Sequence, residues 1–181
     1  MEWFIPGTVL KADRAAAVDQ QFSAMFLGGG IVLSQVTGIT GLEAYTVQNW
    51  VKRGFLSPPE RKHYSLEQLC RIININMLKN VLPMERIVGL LSYINGDLDD
   101  ESDDIIGDSQ LYFMFVRLAA QSRMMNTPQG RDECIAKELA DYREPVPGAK
   151  ERVEKVLTIM LTAWASAQLR LAAEQMLQEL N

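Results

Sequence analysis

The sequence offers little sulfur or imidazole chemistry. Its two cysteines, Cys70 and Cys134, lie far apart within apparent helices, with no Cys-x-x-Cys pair and no histidine beside either. That spacing argues against a zinc motif or a disulfide framework and suggests two core thiols in a reducing compartment. His63 is the only histidine, and no triad spacing, metal motif or close pair of carboxylates in an apolar setting accompanies it. The triple glycine Gly28-Gly29-Gly30 is not followed by Gly-Lys-Ser/Thr, so it is not a phosphate-binding loop. The start, Met1 to Pro6, lacks the basic region and apolar run of a signal peptide. The uncharged run from Val156 to Leu169 is fourteen residues long, short of a membrane span. The chain is therefore expected to be no enzyme, to carry no cofactor or metal, to sit in the cytoplasm and to have no membrane partner.

What is present is a folded, periodic, charge-segregated chain. With 181 residues and 48% hydrophobic side chains, it can bury a core of one or two domains. The net charge of −5 is unevenly spread. Residues 33 to 91 carry seven Lys/Arg against four acids, whereas residues 92 to 181 carry nine against sixteen. A basic docking segment attached to an acidic body fits that pattern. The excess is small enough that a dimer would be needed to double the phosphate contacts.

The basic segment is organised around a helix expected over 40 to 54. Thr40 and Glu43 are spaced as a capping box and Gly54 as the stop. Ala44, Val47 and Val51 give it a face to bury, while Tyr45, Gln48, Asn49 and Lys52 turn outward. Before it, Leu33 to Gly38 form a very short helix capped by Ser34 and ended by Gly38. Two short helices joined by a tight glycine-containing turn are the pattern of a helix-turn-helix, which also serves as plain scaffold. After Gly54, Phe55 to Tyr64 contain Pro58-Pro59, which forbid a helix, and present Arg61, Lys62 and His63 at the tip of a small loop or hairpin. Ser65 and Gln68 form a second capping box, opening a helix through Leu69, Ile72 and Ile73. Pro83 opens another, with Ile87, Leu90, Leu91 and Ile94 as its stripe. An N-terminal helix over 13 to 27, capped by Asp13, is expected to end in the triple glycine as a flexible joint.

The run from Thr46 to Pro59, followed by Tyr64-Ser65-Leu66-Glu67-Gln68-Leu69, Ile72 and Ile87 to Leu91, resembles the N-terminal winged-helix domain of MerR-type transcription regulators. It is more similar still to an uncharacterised bacterial family built on that domain. The match covers about a third of the chain. It implies an all-α protein: a MerR-like winged helix-turn-helix domain with a very short wing, followed by a helical C-terminal region ending in a long helix. It also implies a dimer that binds double-stranded DNA and senses ligands through its C-terminal region. The sequence departs from the MerR pattern at Gln48, where Arg is usual, at Asn49, where Tyr or His is common, and at Val51, where Glu is usual. The wing lacks Gly-Tyr-Arg, so its arginine contact is either absent or supplied by Arg61 or Lys62.

The expected organisation is an N-terminal helix and glycine linker (1–30), the DNA-binding domain (31–94), an acidic linker (95–108) and a helical dimerisation or effector region (109–181). Asp97, Asp99, Glu101, Asp103 and Asp108 fall at calcium-loop positions. However, Ser102 occupies the glycine position and Asp108 replaces the bidentate Glu, so a solvated, helix-capping linker is expected. Beyond it lie a helix over 109 to 125, one opened by Thr127-Pro128, and a last helix from Ala149 to Leu180 that is apolar on more than one side. That helix serves either as the centre of a bundle or as the dimer contact. The aromatics and methionines of the region (Tyr112, Phe113, Met114, Phe115, Met124, Met125, Met160, Trp164) are expected to be core, the alternative being a pocket for an unidentified effector. Two functions remain in competition. One is a DNA-binding regulator, with Gln48 and Asn49 reading base edges and Tyr45, Thr46, Lys52, Arg53, Arg61, Lys62 and His63 holding phosphate. The other is a protein-interaction module that keeps the same scaffold without binding DNA.

Overall fold

The computed structural model describes residues 3–96, 98, 104–121 and 127–180. It is mainly helical, with two small antiparallel sheets of two strands each. An N-terminal hairpin, β1 (Trp3–Phe4) and β2 (Lys11–Ala12), precedes a 3₁₀ turn (Ala15–Ala17) and α1 (Val18–Met25). Then follow β3 (Ile31–Val32), α2 (Leu33–Thr40), α3 (Ala44–Lys52), β4 (His63–Tyr64), α4 (Leu66–Leu78) and α5 (Met84–Asn95). The chain ends with α6 (Asp108–Ala119), α7 (Pro128–Glu138) and α8 (Ala149–Gln178). Asp13 caps nothing; the 3₁₀ turn starts after Arg14 without a side-chain cap.

The α2–α3 corner differs from the expectation in an instructive way. Thr40 does not cap α3, because its hydroxyl donates back to the Val36 carbonyl at 2.8 Å and so belongs to the last turn of α2. The helix runs through Gly38 and stops at Gly41, whose φ of +70 is left-handed. The backbone there favours glycine, while a Cβ would only press on the exposed Val9 side chain, 2.8 Å away at Cγ1. Ser34 is not the cap of α2 either. Val32 stands at that position, and Gln35 Oε1 accepts from its backbone N–H. Glu43 precedes α3 without a side-chain capping bond, leaving Gly41-Leu42-Glu43 as the turn. By contrast, the Ser65–Gln68 box forms with both of its hydrogen bonds, and Thr127 Oγ1 caps α7 through the Gly130 N–H.

A hydrophobic core extends from Ile5 to Ala163 and draws on the N-terminal residues, α1 to α7 and the first half of α8. The N-terminal residues are part of it. Phe22 packs on Tyr112 and Phe113 at ring separations of 5.8 and 5.9 Å, and the Tyr112 hydroxyl donates to the Pro6 carbonyl. Tyr112, Phe115 and Met160 are fully buried and Trp164 lies edge-on to Phe115, so these side chains are core. Met124 and Met125 lie outside the described residues. The first half of α8 is buried. Its second half is exposed, with Leu169 74% and Met176 66% accessible. By length and composition alone, α8 is apolar enough to cross a membrane, with a mean hydropathy of 1.3 over its most apolar stretch, 28% of which is buried.

Helix α4 is the hub, packed against α2, α5, α6 and α8. Its Arg71 is 3% exposed. Arg71 Nε donates to the Phe55 carbonyl, and Nη1 donates to Asp108 Oδ2 at 3.2 Å. Asn74 and Asn95 donate to Asp108 as well. Asp108 is therefore no calcium ligand but the first residue of α6, held inside the protein; the other residues of the proposed calcium set lie outside the described residues. Burial pushes its carboxyl above the ordinary carboxylate range, and the Arg71 guanidinium and Asn74 amide pull it back. Removing one partner leaves the other's charge buried without compensation. Asp108→Ala is thus expected to cost about 3–5 kcal/mol in urea denaturation, and Arg71→Met combined with Asp108→Leu should cost clearly less than the two single changes added. Additive costs would show that the pair is not coupled.

Candidate nucleic-acid interface

The expected site residues fall into two neighbouring elements, α3 and the tip of the hairpin before β4. On α3 the buried side chains are Val47 and Trp50, with Val51 half-buried. Ala44, expected on the buried face, is exposed. Helical spacing then turns Tyr45, Gln48, Asn49 and Lys52 outward, and Tyr45 is 72% accessible. Thr46 is half-buried. Arg53, at the C-terminal end of the helix, lies over the Phe55 ring at 4.4 Å and pairs with Glu85 of α5 at 3.3 Å. Both partners are solvent-exposed, so this pair is weak and exchangeable.

The tip is tighter than the sequence suggests. Glu60 and His63 face each other as a bridge, the His63 N–H donates to the Glu60 carbonyl at 2.8 Å, and only Arg61 and Lys62 lie between them. Both have positive φ, 48 and 69, as a two-residue hairpin turn of the type I′ class demands. Asn-Gly is the favoured pair there, because a Cβ in the left-handed region costs about 1–2 kcal/mol. This chain instead carries its two exposed cations at the most strained positions of the turn. Such local strain is concentrated at functional sites in proteins generally.

The tip is fastened at both ends. Gln68 Nε2 donates to Ser57 and to the Pro58 carbonyl, while Gln68 Oε1 accepts from the Ser65 N–H. Strand β4 pairs with β3, with Ile31 opposite Tyr64 and Val32 opposite His63. The expectation of a flexible joint misses what Gly30 does: a Cβ there would lie 2.8 Å from both His63 Cβ and the Tyr64 carbonyl oxygen. Glycine lets the two backbones meet, so the chain before β3 is the floor of the hairpin.

Between the two elements lies a mostly apolar groove of about 500 Å³, lined by Val32, Leu33, Gln48, Val51, Lys62 and Tyr64 among others. Gln48 of α3 and Lys62 of the tip both line it. His63 is on the other side. Its Nδ1 meets the Arg61 carbonyl at 3.0 Å, which requires the proton on Nδ1, and the residue lines a polar cleft against α4 and α6. The structure thus exposes Tyr45, Gln48, Asn49 and Lys52 on α3 and Arg61 and Lys62 at the tip, brings Gln48 and Lys62 to one groove, and turns His63 to the polar cleft instead. Among the described residues there is no cluster of three or more His, Cys, Asp or Glu that could hold a metal.

Comparison with known proteins adds similarity without a function. Residues 30–115 match a family model described as a domain of unknown function, DUF1836. That stretch begins at the glycine under the hairpin and ends within α6, so it includes α3, the tip and both partners of the buried ion pair. The uncharacterized protein YkrK of Bacillus subtilis (strain 168) is 31% identical over 86 residues, covering 45% of this chain and 37% of that protein. The chain thus matches little more than a third of the relative's length. No solved structure gives a significant match.

Relieving the strain at the tip tests whether it is real. Lys62→Gly is expected to raise the urea midpoint at unchanged slope, by an amount equivalent to about 1 kcal/mol. An unchanged or lowered midpoint would mean that the turn is not strained at Lys62.

Proposed function

We propose that residues 31–94 form a winged helix-turn-helix DNA-binding unit of the MerR-like type, and that the protein is a cytoplasmic, non-enzymatic transcription regulator. The observation that carries this reading is the strained hairpin tip. It keeps Arg61 and Lys62 where Asn-Gly would be more stable, beside a helix that exposes Gln48, Asn49 and Lys52. In this reading α3 is the recognition helix in the major groove and the tip is the wing on flanking phosphate. Gln48 and Asn49 read base edges, since an amide pairs bidentately with adenine. Tyr45, Thr46, Lys52, Arg61 and Lys62 hold the backbone, joined by Arg53 and His63 from the margins.

The test uses duplexes selected by the purified protein from genomic fragments, with binding followed by anisotropy across a salt series. Affinity should fall steeply with salt. Lys52→Ala should weaken all sequences alike and reduce the salt slope by about 1. Gln48→Ala should remove about 1–3 kcal/mol of preference at one base pair. Undetectable binding of every fragment at low salt would favour the second reading, a protein-interaction module on the same scaffold. The apolar groove between α3 and the tip supports that alternative, because its lining is poorer in polar groups than most DNA-contacting surfaces.

A symmetric reader needs two copies, and the exposed half of α8 supports a homodimer. Ser166, Leu169, Ala173, Met176 and Leu180 recur at alternating steps of three and four and are all exposed, as a two-helix seam requires. Sedimentation should give a dimer that Leu169→Glu with Met176→Glu converts to a monomer of unchanged helicity. A wild-type chain that sediments as a monomer at tens of micromolar would remove this part of the proposal.

A further inference from the structure

The groove of about 500 Å³ between α3 and the hairpin tip joins apolar surface to charge of a single sign. Val32, Leu33, Val51 and Tyr64 supply apolar surface, and Ser34, Gln48 and Lys62 supply polar groups. Lys62 is the one charged residue in the lining, with no carboxylate beside it there; Glu60 of the tip lines the polar cleft instead. Among the described residues neither Lys62 nor the adjacent Arg61 has an ion-pair partner. Tyr64 is 3% exposed, yet its hydroxyl makes no hydrogen bond among the described residues. That oxygen is also not one of the side-chain atoms sealed from solvent. The groove therefore offers uncompensated positive charge, an unpaired hydroxyl and accessible apolar surface together.

These properties separate the classes of occupant. Nucleic acid would use Lys62 and Gln48 but gain little from Val32, Leu33 and Val51, since its interfaces are polar. A free small molecule would be poorly covered, because the groove is open to solvent, whereas small-molecule pockets enclose about 70–90% of a ligand's surface. A peptide needs no such enclosure. One bulky apolar side chain seated on the groove leaves water, which is worth about ten- to a hundredfold in affinity. Carboxylates on neighbouring residues of the peptide complement Lys62 and Arg61, and the Tyr64 hydroxyl can donate to a peptide oxygen. A basic peptide would meet the same cations as repulsion.

We propose that this groove docks an acidic peptide segment of another protein through one bulky apolar side chain. The anchor packs on Val32, Leu33 and Val51 while a flanking carboxylate pairs with Lys62. A seated peptide covers Gln48 and Lys62, so peptide and DNA would exclude one another at the proposed DNA face. Peptide binding is measured without DNA, so the failure of either reading leaves the other standing. The full chain is titrated by fluorescence anisotropy into labelled short peptides that carry phenylalanine, leucine or tryptophan between glutamates. Parallel probes replace the apolar residue by alanine or the glutamates by lysine. At least one acidic, apolar probe should bind saturably, about tenfold or more tighter than its alanine version. Lys62→Gln should weaken it by up to about fivefold. Ser34→Glu puts a carboxylate in the lining at the second residue of α2, where the helix dipole favours it. It should weaken the peptide about threefold or more without lowering the thermal midpoint. No binding of any acidic probe up to about 1 mM would overturn the proposal. So would equal binding of the alanine or lysine versions, or indifference to Ser34→Glu. Displacement of the peptide by equimolar decanoate would assign the groove to free carboxylates, and a changed oligomeric state in Ser34→Glu would assign it to a second copy; either would overturn it.

Discussion

The contact on which the rest of the molecule depends is the buried pair between Arg71 of α4 and Asp108 of α6. One guanidinium fixes three things together: the Phe55 carbonyl just after α3, the first residue of α6, and, through the Asp108 carboxylate, the Asn74 and Asn95 amides of α4 and α5. Three helices and the exit of the candidate recognition helix thus share one ionic centre. Ion pairs inside proteins seldom add much net stability over a well-packed apolar substitute, because desolvation consumes most of the attraction. Their force is in what they forbid. Any arrangement that moves α6 away from α4 leaves a charge in the core, so the placement of the hairpin relative to the helical body is held by a large penalty.

That role changes how the basic segment is counted. Of the seven cations between residues 33 and 91, Arg71 is inside the protein and Arg53 is paired with Glu85. The surface charge around α3 and the tip is accordingly smaller than the sequence total implies, and it is concentrated in Lys52, Arg61 and Lys62. A diffuse basic face would point to non-specific attraction. Two of these cations sit on a strained turn, whereas an unstrained loop could display the same charge at no conformational cost, and it is that expense on which the proposed function rests.

What the sequence made legible were features whose cause is local. The Ser65–Gln68 box, the Thr127-Pro128 start and the start of α8 at Ala149 depend on residues a few positions apart, and they appear as expected; α8 ends at Gln178, two residues short of the expected Leu180. The outward face of α3 was legible for the same reason, from helical periodicity. The misread points are those decided by distant parts of the chain. Thr40 and Glu43 have the spacing of a capping box, but the Val9 N–H donates to the Ile39 carbonyl in the last turn of α2, and that helix ends at Gly41 instead. Gly30 looked like a joint because the backbone it lies against, at His63 and Tyr64, is more than thirty positions away. Arg71 and Asp108 looked like surface charge and a calcium-loop position. Nothing in either's immediate surroundings signals the other, so neither the latch nor the cleft beside it was visible before the fold was known.

Helix α8 shows where composition alone stops being informative. Its apolar residues cover more than one side, a pattern that suits a core helix, a paired helix or a membrane span. Val153, Val156, Leu157, Met160 and Leu161 are buried against the body, whereas the side chains from Leu169 onward face outward. The exposed set includes Leu171 and Leu177 as well as Leu169, Met176 and Leu180, so bulky side chains lie on more than one side, and Ser166 and Ala173 interrupt them along one row only. A lipid-facing helix gains from large apolar side chains on every side, whereas small residues on a narrow seam let a second helix approach closely. The spacing of that one row, more than the hydrophobicity of the helix, is what the proposed dimer rests on, and the exposed Leu171 and Leu177 lie off it.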